Sequence, residues 1–115
     1  MGAGTYNFEI EQGSTFSRTI TFKQSDGTAM DLTGYGIRGQ MRVYLDSPTI
    51  IFTFTFTITS PYTLGIVGWS MTSVETAAIP SKQYVYDVEL YQVGSPEVVD
   101  RCMEGVITVS GEVTR

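Results

Sequence analysis

Cys102, the carboxylates Asp87 and Glu89, the turn residue Asp26 and the glycines of "GYGIRG" (34–39) are the candidates for a reactive or ligand-binding group in this chain. There is no histidine, which excludes Ser-His-Asp and Cys-His catalysis and ordinary zinc sites. A reactive thiol needs an electropositive neighbourhood. Cys102 has only Arg101 nearby, which strand geometry turns to the opposite face, so it reads as a core side chain. As the single cysteine it has no partner for an intrachain disulfide.

Asp87 and Glu89 lie two apart on one strand pattern and so share a face, opposite Tyr86 and Val88. A glycosidase needs two carboxyls opposed across a cleft, whereas neighbours on one strand read as a solvated face. Asp26 with Gly27 and Thr28 supplies one carboxylate, and a calcium site wants about six oxygens or more. The glycines of "GYGIRG" lack the strand-to-helix setting of a phosphate loop. No catalytic, metal-binding or cofactor-binding residue is assigned, and the protein is expected not to be an enzyme.

Composition narrows the partners. The 115 residues are expected to form one domain, residues 1–115, long enough to bury a core. Charged residues make up only 17%, against about 25% in a typical soluble domain. Sixteen threonines and ten serines make the polar surface largely hydroxyl. Such a surface is easier to dehydrate than a charged one and suits burial against partners, though Thr is also simply common in strands. Net charge is −5 without a basic cluster, which argues against nucleic acid. The N-terminus "MGAGTYNFEI" has neither the basic start and apolar run of a signal peptide nor the pattern of a myristoylation site. No segment approaches the ~20 apolar residues of a membrane helix. No membrane partner is expected.

These residues must be positioned by strands. Short alternating runs separated by turns are the pattern of a β-sandwich or barrel. Tyr6, Phe8 and Ile10 alternate, and Phe16, Ile20 and Phe22 share a face with Arg18 as the exception. Ser25-Asp26-Gly27 reads as a hairpin turn, and Asp31-Leu32-Thr33-Gly34 as a connection. Ile37, Met41 and Val43 line one face of the next strand and Arg38, Gln40 and Arg42 the other. Gly39 between them marks a bend or a close backbone approach. Val67, Trp69 and Met71 form another inward set, as do Tyr84, Tyr86, Val88 and Leu90. One short helical turn is expected near 73–79, where Thr72 and Glu75 fit a capping box and Pro80 stops it. "VGSPE" (93–97) turns the chain, and the last run, 98–109, should bulge or switch sheets at Gly105. The expected fold is an all-β, antiparallel sandwich of about seven or eight strands.

"IIFTFTFTITS" (50–60) stands out. Phe52, Phe54, Phe56 and Ile58 alternate with Thr53, Thr55, Thr57 and Thr59, which predicts one strand about ten residues long with an apolar face inward. It lacks the Lys, Glu or internal Pro that usually protects a strand edge. A hydroxyl face toward water is ordinary for an antiparallel sheet. The missing protection means that the strand is either central in its sheet or covered, and a covering partner makes Thr53, Thr55, Thr57 and Thr59 the candidate assembly interface.

Four stretches in order carry a family resemblance: "YNFEIEQGSTFSRTITFK" (6–23), "DLTGYGIRGQMR" (31–42), "ETAAIPSKQYVYDVELY" (75–91) and "MEGVITVSGEVTR" (103–115). Together they resemble small virion structural proteins of tailed bacteriophages. The Asp-Leu-Thr-Gly region is also similar to the N-terminal β-sandwich domains of siphophage upper baseplate proteins. The resemblance implies an Ig-like or baseplate-type sandwich in the virion that binds other virion proteins, has no catalytic residues, and sits at the tail, baseplate or a fibre connection. A capsid decoration protein is the alternative within that class, and homo-oligomerisation is compatible with either. From another class, a carbohydrate-binding module could use Tyr44, Tyr62 or Tyr91 as stacking platforms.

Overall fold

A computed structural model describes residues 4–113, with the side chains of residues 96 and 97 excepted. The described residues form an all-β sandwich of nine strands in two sheets. The larger sheet contains β1 (Gly4–Thr5), β2 (Phe8–Glu11), β4 (Tyr35–Arg42), β5 (Phe52–Thr53), β8 (Gln83–Gln92) and β9 (Ser95–Ser110). Its order is β1-β9-β8-β4-β5, with β2 also on β9. The smaller sheet is β3 (Phe16–Thr21), β7 (Ile66–Met71) and β6 (Thr55–Ile58), in that order. Most pairings are antiparallel, as expected, but β1 and β2 both run parallel to β9.

The turns form where local chemistry closes them. At Asp26, the carboxylate accepts from the Thr28 N–H at 2.9 Å and the Thr28 hydroxyl at 2.6 Å, while Gly27 takes φ 89°. Asp31 accepts the Thr33 N–H at 2.9 Å, so the Asp-Leu-Thr-Gly connection is an Asx turn with Leu32 buried beneath it. Thr72 caps α1 (Ser73–Ala77) with the reciprocal pair of a capping box. The turn between β8 and β9 is tighter than "VGSPE" suggests: Gln92 pairs with Ser95, leaving only Val93 and Gly94 between them.

Three expectations need correction. The stretch 50–60 is not one strand. Phe52–Thr53 pairs with β4 in the larger sheet, Thr55–Ile58 pairs with β7 in the smaller, and Phe54 stands between them. The chain therefore changes sheet at Phe54 rather than at Gly105. The β8–β9 register is irregular in two places: at Cys102, skipped between the Val88–Met103 and Glu89–Arg101 pairs, and between the Tyr91–Val99 and Gln92–Ser95 pairs next to the turn. Gly105 is required for another reason: a Cβ there would collide with the Tyr6 carbonyl oxygen, where the N-terminal segment crosses the sheet. Tyr6 itself is exposed rather than inward-facing.

The core gathers on Trp69, which is wholly buried. Phe8, Phe16, Phe54, Phe56 and Tyr86 surround it with ring centroids 5.2, 5.4, 4.8, 5.5 and 5.7 Å away. These are edge-to-face and tilted contacts of the kind aromatic rings prefer. Phe52 and Phe56 are only half-buried, whereas Phe54 is 6% exposed. Phe54→Ala should therefore lower stability by about 3–5 kcal/mol, measured by denaturant unfolding, while Phe52→Ala should cost clearly less. Equal losses would mean that Phe54 is not the residue joining the two sheets.

Candidate functional site

The outer face of the smaller sheet is built entirely from uncharged residues. Strand partners directly opposite one another share a face, so the register defines three rows. Thr55, Ser70 and Ser17 form the first, and Thr57, Gly68 and Thr19 the second. Thr59, Ile66 and Thr21 form the third, Thr59 joining through its N–H to the Ile66 carbonyl at 2.8 Å. All the Thr and Ser side chains in these rows are exposed. The inward residues of the same strands are Phe16, Ile20, Val67, Trp69, Met71, Phe56 and Ile58. Arg18 also lies on the inward side, at the outer strand β3, where its guanidinium covers the Phe16 ring at 4.6 Å.

Thr55, Thr57 and Thr59 are thus brought together, and Thr53 is not. Because the sheet change falls at Phe54, Thr53 pairs with Gln40 on the larger sheet. Four further members of the hydroxyl face, Ser17, Thr19, Thr21 and Ser70, were missed from the sequence. The signal existed in "FSRTITF" (16–22), whose polar positions alternate with the apolar set. What could not be read was that this strand would lie two places from the Phe/Thr stretch.

The outer face of the larger sheet has opposite character. A groove of about 580 Å³ there is lined by Arg38, Arg42, Arg101, Asp87, Glu89 and Glu104, among others. Arg38 Nε meets Glu89 Oε1 at 3.0 Å and stacks over Tyr91 at 4.9 Å. Arg101 Nε lies 3.6 Å from Asp87 Oδ2. Arg42 donates to the Ser47 carbonyl at 2.7 Å and to Gln40 Oε1 at 3.0 Å. Asp87 and Glu89 are therefore each faced by an arginine from a neighbouring strand, which cross-links β4, β8 and β9. Partial burial raises the Asp87 pKa, Glu89 adds to the rise, and Arg101 opposes it.

The remaining candidates fall apart in space. Tyr44 follows the end of β4, Tyr62 sits in the 3-10 turn Tyr62–Leu64, and Tyr91 is on β8. Among the described residues no ring contact joins any two of them. Cys102 is buried, its Sγ 3.3 Å from the Val88 carbonyl oxygen to which it donates. Burial pushes its thiol up to about 11, opposite to the shift a nucleophile needs. No helix among the described residues is long and apolar enough to cross a membrane.

Two expectations follow. Cys102 should resist a thiol-specific reagent at pH 8 in native protein and react completely in denaturant; fast native labelling would contradict its burial. Asp87 is a raised-pKa carboxyl, so the folded state holds its proton more tightly than the unfolded state does. That contribution to stability is lost as pH rises from the ordinary Asp range through the folded value. Asp87→Asn, which mimics the protonated form, should thus melt at or above the parent temperature at pH 7. The difference should shrink as pH falls toward 3.8, the ordinary Asp value. A variant clearly less stable at pH 7 would show that the Arg101 pair outweighs desolvation.

No family model and no curated protein matches the chain. Among solved structures it is similar to the extracellular domain of the voltage-gated sodium channel β4 subunit, a parallel homodimer whose structure is said to explain that protein's role in cell–cell adhesion. The two share 9% identity at a TM-score of 0.39, with 98% of each chain covered.

Proposed function

We propose that this protein is a structural component of a tailed-phage virion, at the tail, baseplate or a fibre connection, that acts by protein–protein assembly and not by catalysis. The hydroxyl face of the smaller sheet is its contact surface. One observation carries this reading: Ser17, Thr19, Thr21, Thr55, Thr57, Thr59 and Ser70 are exposed together with no charge among them. Burying a charge against a partner is expensive unless it is paired. A hydroxyl both donates and accepts and rotates to suit its neighbour, so this face can be dehydrated at low cost. The larger sheet, whose outer face carries Arg38, Arg42, Arg101, Asp87, Glu89 and Glu104, would have to bury charge to make such a contact. The four-stretch resemblance to virion structural proteins supplies the setting.

Thr55→Glu combined with Thr57→Lys tests the reading. Both side chains point away from the core, so the purified variant should keep the parent's circular dichroism and melt within a few degrees of it. Its incorporation into particles, measured by quantitative blotting of purified virions, should drop several-fold. Thr53→Glu, on the other sheet, should leave incorporation unchanged. Normal incorporation of the double variant would place the contact elsewhere.

A further inference from the structure

The smaller sheet ends in two outer strands, β3 and β6, and the register determines what each offers a neighbour. Phe22 N–H donates to the Gly65 carbonyl at 2.8 Å and Thr59 N–H to the Ile66 carbonyl at 2.8 Å. Hydrogen-bonded and non-hydrogen-bonded pairs alternate along an antiparallel ladder. Thr55, Thr57 and Thr59 therefore direct their backbone groups at β7, and Phe56 and Ile58 direct theirs outward. The outward set on β3 is Ser17, Thr19 and Thr21. Arg18 guards that edge, because a strand pairing there would have to cover its charge, a device natural sheets use against edge pairing. On β6 there is no such guard: no charged residue or proline lies between Thr49 and Ser60.

We propose that β6 pairs antiparallel with β6 of a second copy about a two-fold axis at Thr57. The strand is complementary to itself. When a strand pairs antiparallel with its own copy, like faces meet only if the paired residue numbers sum to an even value, because side chains alternate with period 2. Placing the axis at Thr57 sets Phe56 opposite Ile58 of the partner subunit. Each such pair exchanges two N–H···O=C bonds and symmetry doubles them, so every outward group of Phe56 and Ile58 is used. Placing the axis at Phe56 would instead set Ile58 against Phe54 of the partner subunit, and the Phe54 N–H is already donated to the Gly39 carbonyl at 2.9 Å. In the favoured register the half-buried Phe56 and Ile58 extend the apolar layer. On the other face Thr57 meets its symmetry copy, and Thr55 meets Thr59 of the partner subunit. The product is a six-stranded sheet with a continuous hydroxyl face. So small a contact belongs to the weak, transient class of interface. This inference rests on the smaller sheet being the contact surface, and adds the partner and the register.

Cross-linking tests the axis. A non-hydrogen-bonded pair brings Cα atoms to about 4.5 Å, within disulfide range. Under mild oxidation Thr57→Cys should give a covalent dimer on a non-reducing gel, while Thr19→Cys, equally exposed but on β3, should stay monomeric. Equal yields, or no dimer from Thr57→Cys, would overturn the proposal. The register is tested by charge. Like charges directly opposite repel and unlike charges attract, so Thr55→Lys with Thr59→Lys should weaken self-association at least tenfold in sedimentation equilibrium. Thr55→Lys with Thr59→Glu should hold it near the parent value. Identical behaviour of the two pairs would refute this register. Failure of self-pairing is distinguishable from failure of the assembly reading: Thr55→Glu with Thr57→Lys would still impair particle incorporation if only the second copy were wrong.

Discussion

The structure depends on the edge-to-face packing of Phe54 against Trp69, ring centroids 4.8 Å apart and planes at 67°. Phe54 is the residue at which the chain leaves the larger sheet and enters the smaller, so this contact closes the sandwich as well as filling it. Its N–H is still donated to the Gly39 carbonyl, while the next residue already pairs with Ser70 across the core. The crossing works because Gly39 has no side chain. A Cβ there would lie 3.0 Å from the Phe54 ring and 2.8 Å from the Asp87 carbonyl oxygen, closer than a Cβ can sit without the backbone moving. Close packing of this kind leaves little room for substitution.

A second close approach anchors the N-terminal segment. The Tyr86 hydroxyl, its pKa raised by burial, donates to the Tyr6 carbonyl at 2.6 Å. Val106 N–H donates to Asn7 Oδ1 at 3.0 Å. These bonds fill the gap between β1 and β2, where the parallel pairing to β9 is interrupted above Gly105. Backbone groups and the buried Tyr86 hydroxyl are thereby partnered along a crossing that regular ladder bonds do not cover.

The two outer faces divide the polar residues by kind. Arginines and carboxylates collect on β4, β8 and β9, where Arg38 pairs with Glu89 and Arg101 with Asp87, and hydroxyls collect on β3, β6 and β7. Charges resist dehydration far more strongly than hydroxyls do. This segregation leaves β6 as an outer strand without a charge, at the edge of the hydroxyl face.

Much of this was legible in the residues. Period-2 alternation in 84–90 and 67–71 determined strands and their inward sets, because a pleated backbone admits only two faces. The capping box at Thr72 and Glu75 and the turns at Asp26 and Asp31 are local devices whose chemistry lies within a few residues, so the sequence specified them; at Gly39 the glycine marked a close approach, but not that Phe54 and the Asp87 carbonyl make it. The sheet change at Phe54 was not legible. Phe52, Phe54 and Phe56 all point inward before, at and after the crossing, and a periodic pattern keeps its phase whichever sheet receives it. Nor could the order β3-β7-β6 be read, since strands far apart in sequence carry no mark of lying side by side. The sequence therefore determined that Thr53, Thr55, Thr57 and Thr59 face outward. That Thr53 belongs to the charged face and the other three to the hydroxyl face follows from sheet membership, which is set by long-range hydrogen bonding and core packing.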